Sequence, residues 1–255
     1  MDWTRLLTSY EMSYCKNSYV YSALSNIEAR YFAWTGEKSE LSVRQAFECE
    51  RFGNCQDGGV PHNVFTALQN TGGVSYVTEY PTFEDRDNIT KYDCATKNHP
   101  VKIQITGYIR FKVKNENDLI PLLSIYGPVS TTICVSDSLK NYQEGVYDSD
   151  DCGTNATNHA VLVAGYGYDT TLKLPFWRIL TAWGEDWGED GYFRLRRGNH
   201  TCNFAREYIA TAIVQPVQPN NIRSVRNNIA RTAAVTTNYK LQNFAATSVY
   251  PYQIS

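Results

Sequence analysis

From Tyr19 onward, apolar residues fall at Val20, Ala23, Leu24, Ile27 and Tyr31, the spacing of one face of a helix. A shorter helix is predicted over 43–47, and a third over 60–68, ended by Gly72-Gly73. Past residue 100 the period shortens. Strands are predicted at 101–105, 129–134, 159–163, 175–180 and 191–195, with Gly165 and Gly167 as punctuation. One helix interrupts them over 118–125 and closes at Gly127. Helices followed by strands point to an α+β chain in two lobes. Past residue 214 the periodicity fades. Residues 215–255 hold no Asp or Glu but carry Arg223, Arg226, Arg231 and Lys240 among many Asn, Gln, Thr and Ala. A basic, polar, flexible tail is expected there, with docking on an acidic partner as the alternative.

Composition narrows the picture. A chain of 255 residues can bury a substantial core. A net charge of −2 implies no general affinity for nucleic acid or acidic membranes. No apolar run approaches the ~20 residues of a membrane span. Met1-Asp2-Trp3-Thr4 lacks the charged and apolar regions of a signal peptide, and a mature segment cut from a longer precursor is expected. The seven cysteines are scattered, with no close pair to grip zinc, so no metal or other cofactor is expected. An odd count allows three bridges and one leftover thiol. Sequons at Asn88, Asn155 and Asn199 are candidate glycosylation sites. Cysteines and sequons together favour an oxidising compartment.

Five stretches carry chemistry. Asp2-Trp3 stands near the start. Met12-Ser13-Tyr14-Cys15-Lys16-Asn17-Ser18-Tyr19-Val20-Tyr21-Ser22 leads into the first helix. Cys55-Gln56-Asp57-Gly58-Gly59, Asn158-His159-Ala160 and Thr181-Ala182-Trp183-Gly184-Glu185-Asp186-Trp187-Gly188-Glu189-Asp190-Gly191-Tyr192 follow in order. Over roughly residues 2–214 the chain resembles the papain-like cysteine proteases, such as papain and cathepsin L. Those carry Gln-Gly-x-Cys-Gly-Ser-Cys-Trp-Ala-Phe-Ser, Cys-x-Gly-Gly, Asn/Asp-His-Ala/Gly and Asn-Ser-Trp-Gly-x-x-Trp-Gly-x-x-Gly-Tyr at these places.

The resemblance implies a peptidase domain over 1–214 and a tail over 215–255. Within the domain it implies a helical left lobe (roughly 4–105), a β-barrel-like right lobe (roughly 106–200), a C-terminal strand (201–214) and a cleft between the lobes. It implies bridges Cys15–Cys55, Cys49–Cys94 and Cys152–Cys202, leaving Cys134 free in an apolar strand. It also assigns the site. His159 keeps the place of the catalytic imidazole. Ser18 stands for the nucleophilic cysteine, Thr181 for the orienting asparagine and Met12 for the oxyanion glutamine, whose side chain has no N–H to donate. A thiolate at a helix N-terminus beside an imidazole is the reactive species of such sites, so these substitutions describe dismantled chemistry. Ser18 alone could be an engineered change, which would not explain Met12 and Thr181.

Gly58, Gly59, Val60, Pro61, Thr132, Ala160, Trp183 and Glu207 map along the substrate groove. An acidic Glu207 would favour Arg or Lys in the pocket for the second residue upstream of the cut. Lys16, in place of a family glycine, would crowd the groove. The expected protein is a monomeric, secreted or lysosomal pseudoprotease that binds a peptide or protein, with no nucleic-acid partner. The alternatives are a residual hydrolase using Ser18 and His159, an engineered peptidase, and a structural surface glycoprotein.

Overall fold

The computed structural model describes residues 1–7, 10–12, 15–50, 52–80, 94, 101–152 and 156–216. The chain divides into Met1–Pro216 and Val217–Ser255. The expected tail and the sequons at Asn88 and Asn155 lie outside the described residues.

Three helices come first: α1 (Ser18–Thr35), α2 (Val43–Cys49) and α3 (Pro61–Asn70). Helix α1 ends where Gly36 takes a left-handed conformation that a Cβ would strain. The Ser42 hydroxyl accepts the N–H of Gln45 and caps α2. Pro61 opens α3, where its missing N–H removes no helical bond. Strand β1 (Ile103–Phe111) leads to α4 (Leu119–Tyr126) and β2 (Val129–Ile133). The short α5 (Asp137–Lys140) and β3 (Val146–Tyr147) follow, then β4 (His159–Asp169), β5 (Leu174–Leu180), β6 (Tyr192–Arg196) and β7 (Ile209–Pro216).

The strands form one seven-stranded sheet in the order β1-β7-β2-β4-β5-β6-β3. The expected barrel is corrected here, because the sheet stays open. Its edges are β1, which packs against α3, and β3, whose two residues pair only with β6. A barrel requires those edges to hydrogen-bond to each other. The predicted break at Gly165 and Gly167 is also corrected. β4 runs through both, with a register shift between Val163 and Gly165. These glycines serve close approach. A Cβ on Gly165 would lie 2.4 Å from the Met1 carbonyl oxygen, and one on Gly167 would lie 2.6 Å from the Phe176 ring.

Two apolar clusters form the core. One gathers α1, α2 and α3 around Tyr19, Leu24, Ile27, Phe47 and Phe65 and reaches β1 and β7. The other surrounds Trp177, Phe193 and Phe204 under β2, β4, β5 and β6. Helix α1 lies against the sheet along a buried polar row. Ser22 donates to the Val161 carbonyl at 2.8 Å, and Ser130 donates to the Ser22 carbonyl at 2.9 Å. Asn26 donates to the Pro128 carbonyl at 2.7 Å and accepts from the Ala212 N–H at 2.8 Å. Buried polar groups paired in this way fix one docking of the helix, since any slide would orphan them.

Disulfides join Cys15–Cys55, Cys49–Cys94 and Cys152–Cys202. Cys134 is free and buried one residue past β2, against the last of these bridges. No helix among the described residues is long and apolar enough to cross a membrane.

Candidate active site

Ser18 is the first residue of α1 and is buried. The eighteen-residue helix behind it presents unpaired N–H groups and a positive dipole end, the setting that would stabilise an anion at this position. The Ser18 hydroxyl oxygen accepts the Ala160 N–H at 3.1 Å. It therefore begins the polar row that Ser22 and Asn26 continue at four-residue intervals. The preceding Asn17 does not cap the helix through its side chain, and its Oδ1 is buried without a partner.

His159 opens β4 opposite Ile133 of β2. Asn158 holds the approach: its N–H donates to the Ile133 carbonyl at 2.9 Å, and its Oδ1 accepts the Val135 N–H at 2.8 Å. The His159 ring is buried, with the Trp183 ring at 4.7 Å, and Trp187 meets Trp183 edge-on at 4.6 Å. Burial lowers the His159 pKa to about 4, so the imidazole is neutral near neutral pH. No hydrogen bond joins it to Ser18, and its Nε2 is buried without a partner.

Thr181, just past β5, is buried, and its hydroxyl donates to the Gly191 carbonyl at 3.1 Å. Met12 is fixed by its backbone, whose N–H donates to the Ala182 carbonyl at 2.7 Å, while the neighbouring Glu11 bridges to Trp183. Main-chain pairing thus places Met12 on the same strip as Thr181 and Trp183.

The positions expected to line a groove fall into two sets. Thr132 and Ala160 are paired across β2 and β4, and the Thr132 hydroxyl is buried without a partner. Gly58, Gly59, Val60 and Pro61 run from the Cys55 loop into α3. In that loop Asn54 and Gly58 exchange both backbone hydrogen bonds, and the Lys16 N–H reaches the Cys55 carbonyl at 3.1 Å. Gly58 takes a positive φ of 78°. Gly59 is needed for packing, because a Cβ there would lie 2.7 Å from the Tyr19 ring. Lys16 is exposed. Glu207 is exposed ahead of β7 and makes no ion pair with Arg206. Asn199 is exposed in the turn after β6. No group of three or more His, Cys, Asp or Glu among the described residues is placed to hold a metal ion.

Sequence reasoning missed the polar row. Its signal was there in Ser18, Ser22 and Asn26, spaced four apart on an otherwise apolar helix face.

The fold and this seam define a class: an α+β peptidase body in which a long helix begins against a strand-borne imidazole flanked by tryptophan. The chain belongs to the papain family, since the model described as "Papain family cysteine protease" matches residues 2–212. It is 34% identical over 201 residues to the viral cathepsin of Cydia pomonella granulosis virus, which covers 78% of this chain and 57% of that protein. It is 32% identical over 198 residues to cysteine proteinase 2 of Zea mays, which covers 75% of this chain and 52% of that one. The chain spans about three fifths of the length of the viral cathepsins it matches. The bromelain protease of Ananas comosus, solved with the E64 inhibitor, superposes with a TM-score of 0.74 at 27% identity, over 84% of this chain and 98% of that one. Digestive procathepsin L 3 of Tenebrio molitor superposes at 0.71 with 26% identity, over 83% and 68%.

Proposed function

We propose that this papain-family chain is proteolytically inactive and acts by binding a peptide or protein segment in the groove beside His159. The orphaned Nε2 of His159 supports this most directly. An acyl-transfer base needs a third group to fix its tautomer and ring. The Thr181 hydroxyl, in the place of that group, is turned to the Gly191 carbonyl. The Ser18 oxygen is occupied as an acceptor from Ala160, with no bond to the imidazole that would take its proton. Loss of the orienting group alone lowers rate by roughly 10⁴ in a serine-protease triad. Loss of one oxyanion donor lowers it by roughly 10²–10³. The losses do not add, but each acts in the same direction. Three disulfides suit a secreted or lysosomal setting.

The decisive experiment is reconstruction. Ser18→Cys alone should stay near background on a cathepsin substrate panel. Ser18→Cys with Thr181→Asn and Met12→Gln should gain turnover. Full activity from the single change would refute natural decay of the site, as would amide hydrolysis by the unmodified protein that disappears in Ser18→Ala. Groove binding is read separately, by titrating peptides with Arg or Lys at the second position upstream of the scissile bond. Saturable binding that weakens in Glu207→Gln supports the groove, and absence of binding rejects it.

One observation favours a second reading. Ser18 does occupy a helix N-terminus next to the strand that begins with His159, so a residual serine hydrolase is the rival. It requires fluorophosphonate labelling of Ser18 that is lost in His159→Ala.

A further inference from the structure

We propose that a basic and aromatic cluster built on β1 and α3 is a subsite for a carboxylate side chain of the bound polypeptide. Tyr108 and Arg110 share one face of β1, and Lys112 lies one residue past its end. The Arg110 guanidinium carbon stands 4.2 Å from the centre of the Tyr208 ring, and the Lys112 ammonium 5.9 Å from it. One arm of Arg110 lies 3.3 Å from Nε2 of His62, which follows Pro61 at the start of α3. The His62 ring is flanked by Tyr108 at 6.2 Å and Tyr208 at 6.3 Å. Burial and the adjacent guanidinium hold His62 neutral, so its nitrogen accepts from Arg110.

No carboxylate among the described residues pairs with Arg110 or Lys112, although Arg44, Lys102, Lys140, Arg178 and Arg194 all have acidic partners. Arg110 lies over the Tyr208 ring and donates one arm to His62, and no acidic side chain among the described residues takes the rest of its fork. A guanidinium so positioned loses little freedom when it takes a carboxylate through two parallel bonds. Tyr208 is 45% exposed, which leaves the platform open to a partner. Two cations over one ring suit a single acidic side chain rather than a long polyanion, and a net charge of −2 offers no broad positive field for one.

The cluster adjoins Pro61 and Glu207. It therefore deepens the binding role proposed above, and it rests on that role only for its place beside the groove. A partner reading both features would carry an acidic residue near a basic one.

Fluorescein-labelled octaglutamate, titrated by anisotropy at low salt against the whole chain, is the test. Saturable binding is expected, weakened about tenfold or more in Arg110→Gln, only partly in Arg110→Lys, and unchanged in the exposed control Lys38→Gln. Tyr208→Leu, which keeps every charge, should also weaken it. No saturable binding, or equal binding by Arg110→Gln that is folded by circular dichroism, overturns the proposal. Tighter, Arg110-dependent binding of a heparin octasaccharide overturns the polypeptide assignment. If octaglutamate binds while the Arg- and Lys-bearing peptides fail, the groove reading falls and this one stands. The reverse outcome removes this one alone.

Discussion

At the scale of single residues, the site is defined by what its polar atoms are bonded to. The Ser18 oxygen satisfies a buried backbone N–H, so Ser18→Ala leaves that donor unpaired. The expected loss is about 1–3 kcal/mol, read as a lowered urea midpoint at constant slope. A thiol is a weaker acceptor, so Ser18→Cys should also fall below the parent in stability. His159 provides the pH signature. Its folded pKa is depressed from 6.5 to about 4, so between those values the unfolded chain binds the proton and the native chain does not. Stability should therefore rise with pH across that window and be lost as pH falls through it. His62, depressed to about 4 by burial and Arg110, acts in the same direction. Denaturation midpoints between pH 4 and 7 should show a shallower slope in His159→Phe. An unchanged slope would mean that the imidazole is not held neutral.

Among the elements, α1 shows how sequence and structure part company. Its apolar spacing was legible, since Val20, Ala23, Leu24 and Ile27 are all fully buried. Its polar partners were not, because hydroxyls and amides on a helix read as solvent-facing until the strands that receive them are in place. β4 was cut short for a related reason. A glycine in a strand pattern reads as a stop, yet Gly165 and Gly167 are there because Met1 and Phe176 press against them. α5 and β3, of four and two residues, are too short for any period to register. At the site, residue types could be placed by motif, but the hydrogen bonds that commit Ser18 and Thr181 elsewhere needed coordinates. Within α1, Glu28 is buried, accepting from the Tyr10 hydroxyl and from the Leu41 N–H at 2.9 Å. Burial, reinforced by Glu40 and opposed by those two bonds, pushes its pKa up to about 8. From about pH 4.5 to 8 the native state then holds a proton that the unfolded state has released, so the Glu28 contribution to stability declines as pH rises, against the rise from the two histidines at the acid end. Glu28→Gln should flatten that decline in thermal melts. If Glu28→Gln and the parent show the same pH dependence over this range, the buried carboxyl is not protonated.

For the molecule as a whole, the disulfides set the tolerance to reducing conditions. They close loops with sequence separations of 40, 45 and 50 residues. In the chain-entropy model each contributes about 3–4 kcal/mol. The double variant Cys15→Ser/Cys55→Ser should lower unfolding free energy by that order. It should also loosen the entry to α1, because Lys16 hydrogen-bonds to Cys55 across the bridge. Denaturant titration with amide exchange at residues 16–20 would separate the two effects. Equal exchange in the variant and the parent would show that the helix entry is held by its polar row alone.

The indole of Trp183, 4.7 Å from the His159 ring, has a practical consequence. A protonated imidazole quenches a neighbouring indole, so light emitted at this spot should dim on acidification and respond when a guest covers it. The ring pair is thus an optical gauge of what happens beside His159, and Trp183→Phe supplies the dark control.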